Sequence, residues 1–177
     1  IDFREIPINS IVESFEALMT PDLDTNNIGV AEENIQSRIR GNILMALSNK
    51  HGWLVLSTGN KTEMAMGYCT LYGDMNGGLS VISDLSKEDV YKISKWLNTS
   101  SGKNIIPENS ITKPPSAELR PDQVDPFDYD IVSPLVSALI DNEKSPSELV
   151  KNGADIDLVK NISTRITLNE YKRRQAA

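Results

Sequence analysis

Trp53-Leu54-Val55-Leu56-Ser57-Thr58-Gly59-Asn60-Lys61-Thr62-Glu63 is the stretch on which the fold turns. Its first five residues form a short, almost wholly apolar run without alternation. That pattern predicts a parallel strand buried on both faces. Thr58-Gly59-Asn60 then turns the chain, and a helix is expected over 61–71. In open α/β sheets, ligands sit beyond the carboxyl ends of the strands. The turn from Ser57 to Glu63 is therefore the first candidate site. Gly59 permits close backbone approach to a ligand, Thr58 offers a hydroxyl, and the helix start offers N–H groups to an anion. A purely structural reading stands beside this one. Asn60 with Glu63 three residues on also matches a capping box.

Upstream, Ile35, Ile39 and Ile43 recur every fourth residue, and Leu44 and Leu47 continue the stripe. They predict a long helix over 31–49, which His51-Gly52 closes with Gly52 as a left-handed cap. Ile11, Phe15, Leu18 and Met19 predict an earlier helix over 11–19. Ile1 to Ile8 reads as a short strand entered partway through a domain. Downstream come a Gly-rich loop over 72–78 and a helix over 87–97 capped by Ser86. Residues 99–128 hold five of the nine prolines and read as an extended loop of the kind that covers sites. Helices are expected near 129–141, 147–152 and 156–169. Strands alternating with helices argue for an α/β domain with a Rossmann-like parallel sheet and flanking helices. The N-terminal part of that sheet is expected to lie before Ile1, so that 1–177 is part of one domain.

Composition narrows the chemistry. The chain has 177 residues and a formal net charge of -7. Acidity disfavours non-specific binding to nucleic acid or to an anionic membrane. A single cysteine, Cys69, excludes an internal disulfide scaffold, and with a single histidine, His51, there are too few ligands for a His/Cys zinc site. Any metal is expected to be a hard cation held by carboxylates and ligand oxygens. No apolar run reaches membrane length and no signal peptide is visible, so the expected compartment is the cytoplasm.

Other residues offer chemistry that pattern alone leaves open. Asn34, Arg38 and Asn42 are four apart and share a helix face; Arg38 beside an apolar stripe suits a phosphate, or is simply a solvated edge. Ser37 and Gly41 are small enough for another helix to pack closely, as in a dimer. Lys87 starts a helix and reaches a phosphate or only solvent. Asp74 holds a ribose hydroxyl or closes a turn. Cys69 reads as a core thiol in the helix over 61–71. Lys172-Arg173-Arg174 reads as a solvated basic tail. The loop from Gly73 to Gly78 has neither GxGxxG nor GxxxxGK[ST], so it is no phosphate cradle by pattern.

Several separated motifs, in order, resemble the NAD synthetases. Glu33 to Gly41 resembles that family's EN-x-Q-x-R-x-R segment. Trp53 to Asp74, WLVLSTGNKTEMAMGYCTLYGD, resembles the distinctive stretch of the glutamine-dependent branch. Met75-Asn76-Gly77-Gly78, Asp84 to Lys87, Thr112 to Leu119, Asp125 to Tyr129 and the closing EYKRRQA agree in spacing. The resemblance implies ATP contacts from Thr58, Lys87 and Ser116. It implies contacts to deamido-NAD (nicotinic acid adenine dinucleotide) from Asn34, Arg38, Glu63, Tyr68, Cys69, Thr70, Leu71 and Asp74. Glu63 would also hold magnesium.

The implied reaction is ATP-dependent amidation of deamido-NAD to NAD through an adenylate, with ammonia drawn from glutamine and a homodimeric core. The family's SGGxDS phosphate loop, expected before Ile1, occurs nowhere in the chain, and the fragment alone is expected to be inactive. Leu71 stands where ammonia-dependent relatives carry lysine, which favours the glutamine-dependent branch. Two other readings remain: a GMP synthetase-type ATP pyrophosphatase, and a non-catalytic dimerisation or nucleotide-binding module.

Overall fold

The computed structural model describes residues 2–20, 22–23 and 29–177. Its elements run α1 (Asn9–Met19), α2 (Val30–His51), β1 (Leu56–Ser57), α3 (Lys61–Met66), β2 (Leu79–Ser80), α4 (Lys87–Ser101), α5 (Glu108–Thr112), α6 (Tyr129–Ile140), α7 (Pro146–Lys151), α8 (Ile156–Leu168) and α9 (Glu170–Arg173). β1 and β2 are parallel, with Leu56 opposite Leu79 and Ser57 opposite Ser80. α3 lies in the crossover between them, as a parallel pair requires. The α/β architecture with a parallel sheet and flanking helices is thus present.

Local signals explain the helix ends. Ser86, Asp128, Ser145 and Asp155 each accept an N–H from the first turn of α4, α6, α7 and α8. Gly52 ends α2 in the left-handed conformation at φ 69°, and its N–H donates to the Ser48 carbonyl at 2.8 Å. The Pro-rich segment is not bare loop. α4 continues into it as far as Ser101, and α5 forms one short helix there.

Three expectations are corrected. Residues 2–8 form no strand and are mostly exposed, because no described strand lies alongside to share a ladder. The central strand is two residues long and covered on one face only: Ser57 is buried while Leu56 and Leu54 are exposed. An apolar run signals two covered faces, but here the neighbouring layer covers one. The third correction is α3, which ends at Met66. Gly67 adopts φ 68° and returns its N–H to Glu63 and Met64 carbonyls. Cys69 therefore lies in the turn beyond the helix, not within it.

The core sits where α3, α6 and α8 meet. Ala65, Met66, Val132, Val136 and Ile162 are buried together, flanked by Phe127, Leu135, Leu139, Leu158 and Ile166. Beneath it, the buried Thr62 hydroxyl donates to Ser133 Oγ at 2.8 Å, satisfying a polar group that burial would otherwise penalise. This packing holds α3 rigidly, and α3 carries Glu63.

The small residues of α2 take a partner that the sequence did not suggest. Ser37 and Gly41 are buried against the 70–76 turn of the same chain, not against another helix. A Cβ on Gly41 would lie 2.8 Å from the Gly73 carbonyl, and one on Gly73 would lie 2.3 Å from Ser37 Oγ. The turn and the helix can approach this closely only without those side chains.

Candidate nucleotide site

Beyond the carboxyl end of β1 a cavity of about 640 Å³ opens between α2, α3, the 67–74 turn, the start of α4, the 116–125 segment and α9. Thr58, Glu63, Lys87, Ser116, Asn34, Tyr68, Cys69, Thr70 and Asp74 all line it. Nine of the residues singled out in the sequence thus come from separate elements into one space. Such volume suits a small-molecule ligand.

Glu63 is both cap and cavity residue. Its Oε2 accepts the Asn60 N–H at 3.0 Å, and Asn60 Oδ1 accepts the Glu63 N–H at 3.0 Å, completing the capping box. Its Oε1 takes the Lys87 ammonium at 3.0 Å and stands 3.3 Å from the Tyr129 hydroxyl. The side chains of Lys87 and Glu63 are only 21% and 17% exposed, so solvent weakens this pair less than a surface one. Lys87 also lies 5.3 Å from the Tyr129 ring centre, within cation–π range. Tyr129 gives its proton to Asp125 Oδ2 at 2.7 Å. Burial, the Asp125 hydrogen bond and the charges of Glu63 and Asp125 hold its phenol far above the ordinary range. It stays a neutral donor, and burial with nearby Asp125 does the same for Tyr68.

The helix start at α3 is not open to an anion, contrary to the first reading. The Lys61 N–H goes to the Leu85 carbonyl at 2.9 Å and the Glu63 N–H to Asn60. Positive charge facing the cavity comes instead from Lys87, Arg40 and Lys172.

Arg38 and Leu71 do not line the cavity. Arg38 is exposed, and its Nε donates to the Leu71 carbonyl at 3.2 Å, so the two meet each other. The reason is helical geometry: a four-residue step overshoots a full turn by about 40°. Residues 34, 38 and 42 therefore drift around α2. The face that meets the cavity is Val30, Glu33, Asn34, Ser37 and Arg40, at steps of three and four. Counting at 3.6 would have found Glu33, Ser37 and Arg40.

Two further residues carry weaker signals. Asp125 arrives from the Pro-rich segment by a tertiary contact alone. Lys172 is not a solvated tail: its ammonium grips the carbonyls of Gly67 at 2.8 Å and Cys69 at 2.7 Å. It fixes the turn that carries Tyr68, Cys69 and Thr70.

Burial pushes the Cys69 thiol up to about 11. A raised pKa leaves less thiolate, and thiolate is the reactive form. Iodoacetamide at pH 8 should therefore alkylate Cys69 on the order of 100-fold more slowly than a free cysteine, with the rate still climbing at pH 10. Peptide-resolved mass spectrometry measures this; a half-time equal to that of free cysteine would show the thiol to be open and ionised.

A parallel α/β layer with a polar cavity at the strand ends, carrying two carboxylates, a lysine and a cluster of hydroxyls, defines a nucleotide-site protein of the Rossmann-like class. The family model described as NAD synthase matches residues 1–176, and the chain belongs to that family. It is 47% identical over 177 residues to the glutamine-dependent NAD(+) synthetase of Synechocystis sp., covering 98% of this chain and 31% of that relative. Among solved structures it is similar to the glutamine-dependent NAD+ synthetase of Acinetobacter baumannii, in complex with ADP, at a TM-score of 0.58 and 40% identity, over 96% of this chain and 30% of that one. NMN synthetase from Francisella tularensis shares the fold at a TM-score of 0.77 and 24% identity, over 100% of this chain and 66% of that one. The chain spans about a third of the length of the curated relatives it matches.

Proposed function

We propose that the protein carrying this chain amidates deamido-NAD to NAD with ATP. The nicotinate carboxylate oxygen attacks the α-phosphorus of ATP and pyrophosphate leaves. Ammonia then attacks the acyl carbon, and AMP leaves. The observation that carries this reading is the gathering of nine family-matched residues around one cavity. Thr58, Lys87 and Ser116 take the ATP side; Asn34, Tyr68, Cys69, Thr70 and Asp74 take the dinucleotide side; Glu63 stands between them. Arg38 and Leu71 bear on the dinucleotide only by holding the turn from outside the cavity.

The chemistry asks for charge stabilisation rather than a nucleophile. Cys69, with its raised thiol, is no candidate for covalent catalysis. Magnesium fits as a guest of the nucleotide, since such ions bind through one or two carboxylates plus phosphate oxygens. Glu63 supplies one carboxylate, and no group of three or more His, Cys, Asp or Glu among the described residues forms a cage of its own. When bound, the ion would offset charge developing on the phosphates.

Glutamine as the nitrogen donor follows the relatives' names and Leu71. A homodimer is supported by the exposed Phe15 and Leu18 on α1 and by exposed Arg38 on α2. No helix among the described residues is long and apolar enough to cross a membrane, and cytoplasm is the compartment we propose.

The test uses the full-length protein with ATP–magnesium, deamido-NAD and either glutamine or ammonium. We expect NAD, AMP and pyrophosphate in equal amounts by chromatography. AMP release that ignores deamido-NAD but responds to xanthosine monophosphate would replace this reading with the GMP synthetase type.

A further inference from the structure

We propose that Ser37 is a positioning residue that aims the Asp74 carboxylate into the cavity. The inference rests on the reading above and adds a residue that the family motifs leave as an unspecified position. Ser37 lies on α2 and is only 6% exposed. Its hydroxyl donates to Asp74 Oδ1 at 3.3 Å and accepts the Asp74 backbone N–H at 3.1 Å. One side chain thus holds Asp74 at two points, backbone and carboxylate. The Thr70 N–H donates to the same Oδ1 at 2.5 Å. Thr70 is itself tied to α2, its hydroxyl donating to Asn34 Oδ1 at 2.7 Å.

A carboxylate accepts through both oxygens. Here the protein spends its donors on Oδ1, and no described residue donates to Oδ2 or forms an ion pair with Asp74. The residue's surface is exposed to the cavity. Oδ2 is therefore the oxygen available to a ligand. The ligand chemistry that suits a fixed carboxylate oxygen is a hydroxyl donor, such as a ribose hydroxyl. Gly73 makes the arrangement possible, because any Cβ there would collide with Ser37 Oγ.

The test is a double-mutant cycle on the full-length protein with Ser37→Ala, Asp74→Ala and the pair. Ser37→Ala should raise KM for deamido-NAD about tenfold, the cost of loosening a hydrogen bond to a charged group. KM for ATP should stay within about twofold. Added to Asp74→Ala, the Ser37 change should cost less than about twofold, since nothing remains to be aimed. Ser37→Cys keeps the volume with a weak donor and should fall between serine and alanine, which keeps the test open if the alanine variant folds poorly. Multiplicative effects, or a KM for ATP that moves in parallel, would overturn the role of Ser37 while leaving the proposed reaction intact. Wild-type protein that makes no NAD from deamido-NAD would instead overturn the reaction, and this inference with it.

Discussion

Glu63→Gln should lower kcat/KM for NAD formation by about 100-fold or more, yet leave the melting midpoint within a few degrees. The two consequences separate because the two oxygens of Glu63 work apart. Oε2 accepts the Asn60 N–H in the capping box, and a glutamine amide oxygen serves there equally well. Oε1 faces Lys87 and the cavity. Replacing it with an amide removes the charge that sets Lys87 in place and that a cation would share. Loss of one preorganised electrostatic group costs on the order of 10² to 10³ in turnover. Steady-state kinetics and a circular dichroism melt on the same preparation decide it. Wild-type turnover in the glutamine variant would reduce Glu63 to a helix cap.

Gly67→Ala should destabilise the fold most among single-methyl changes. Gly67 sits at φ 68°, and a Cβ there would lie 2.0 Å from Asn169 Cγ. The left-handed conformation costs an alanine about 1–2 kcal/mol, and overpacking adds about 1–3 kcal/mol. Together they correspond to a fall of about 5–15 °C in the midpoint for a domain of this size. The damage would also reach the site. Asn169 holds the Met66 carbonyl and the end of α8, and Lys172 grips Gly67 and Cys69. Gly102→Ala is the control: φ is 61°, but no atom lies within 4 Å of its Cβ position. It should show the conformational cost alone. Equal midpoints for the two variants would mean that Asn169 yields without cost.

The helices were legible because their signals are local. Ser86 before α4 and Gly52 after α2 act within one turn of chain, and both perform the expected role. Glu63 was legible twice over, as cap and as ligand, because its two oxygens satisfy both patterns at once. Arg38 was misplaced by a small error of period that grows with each turn of α2. Cys69 was misplaced because Met64 to Leu71 is apolar enough to look helical, while Gly67 stops the helix after six residues. The Pro-rich segment showed itself as a segment, but Asp125 within it meets Tyr129 only after folding.

Residues Trp53 to Glu63 were enough to assign an α/β class and to place the site after the strand, because strand, turn and cap are read from neighbours in the chain. Which side chains share the cavity was decided elsewhere. Asn34 with Thr70, Ser37 with Asp74, Glu63 with Lys87 and Lys172 with Cys69 are separated by 36, 37, 24 and 103 positions. Contacts over such separations follow from how α2, α3 and α9 pack, and packing depends on shape and buried area that no local pattern carries.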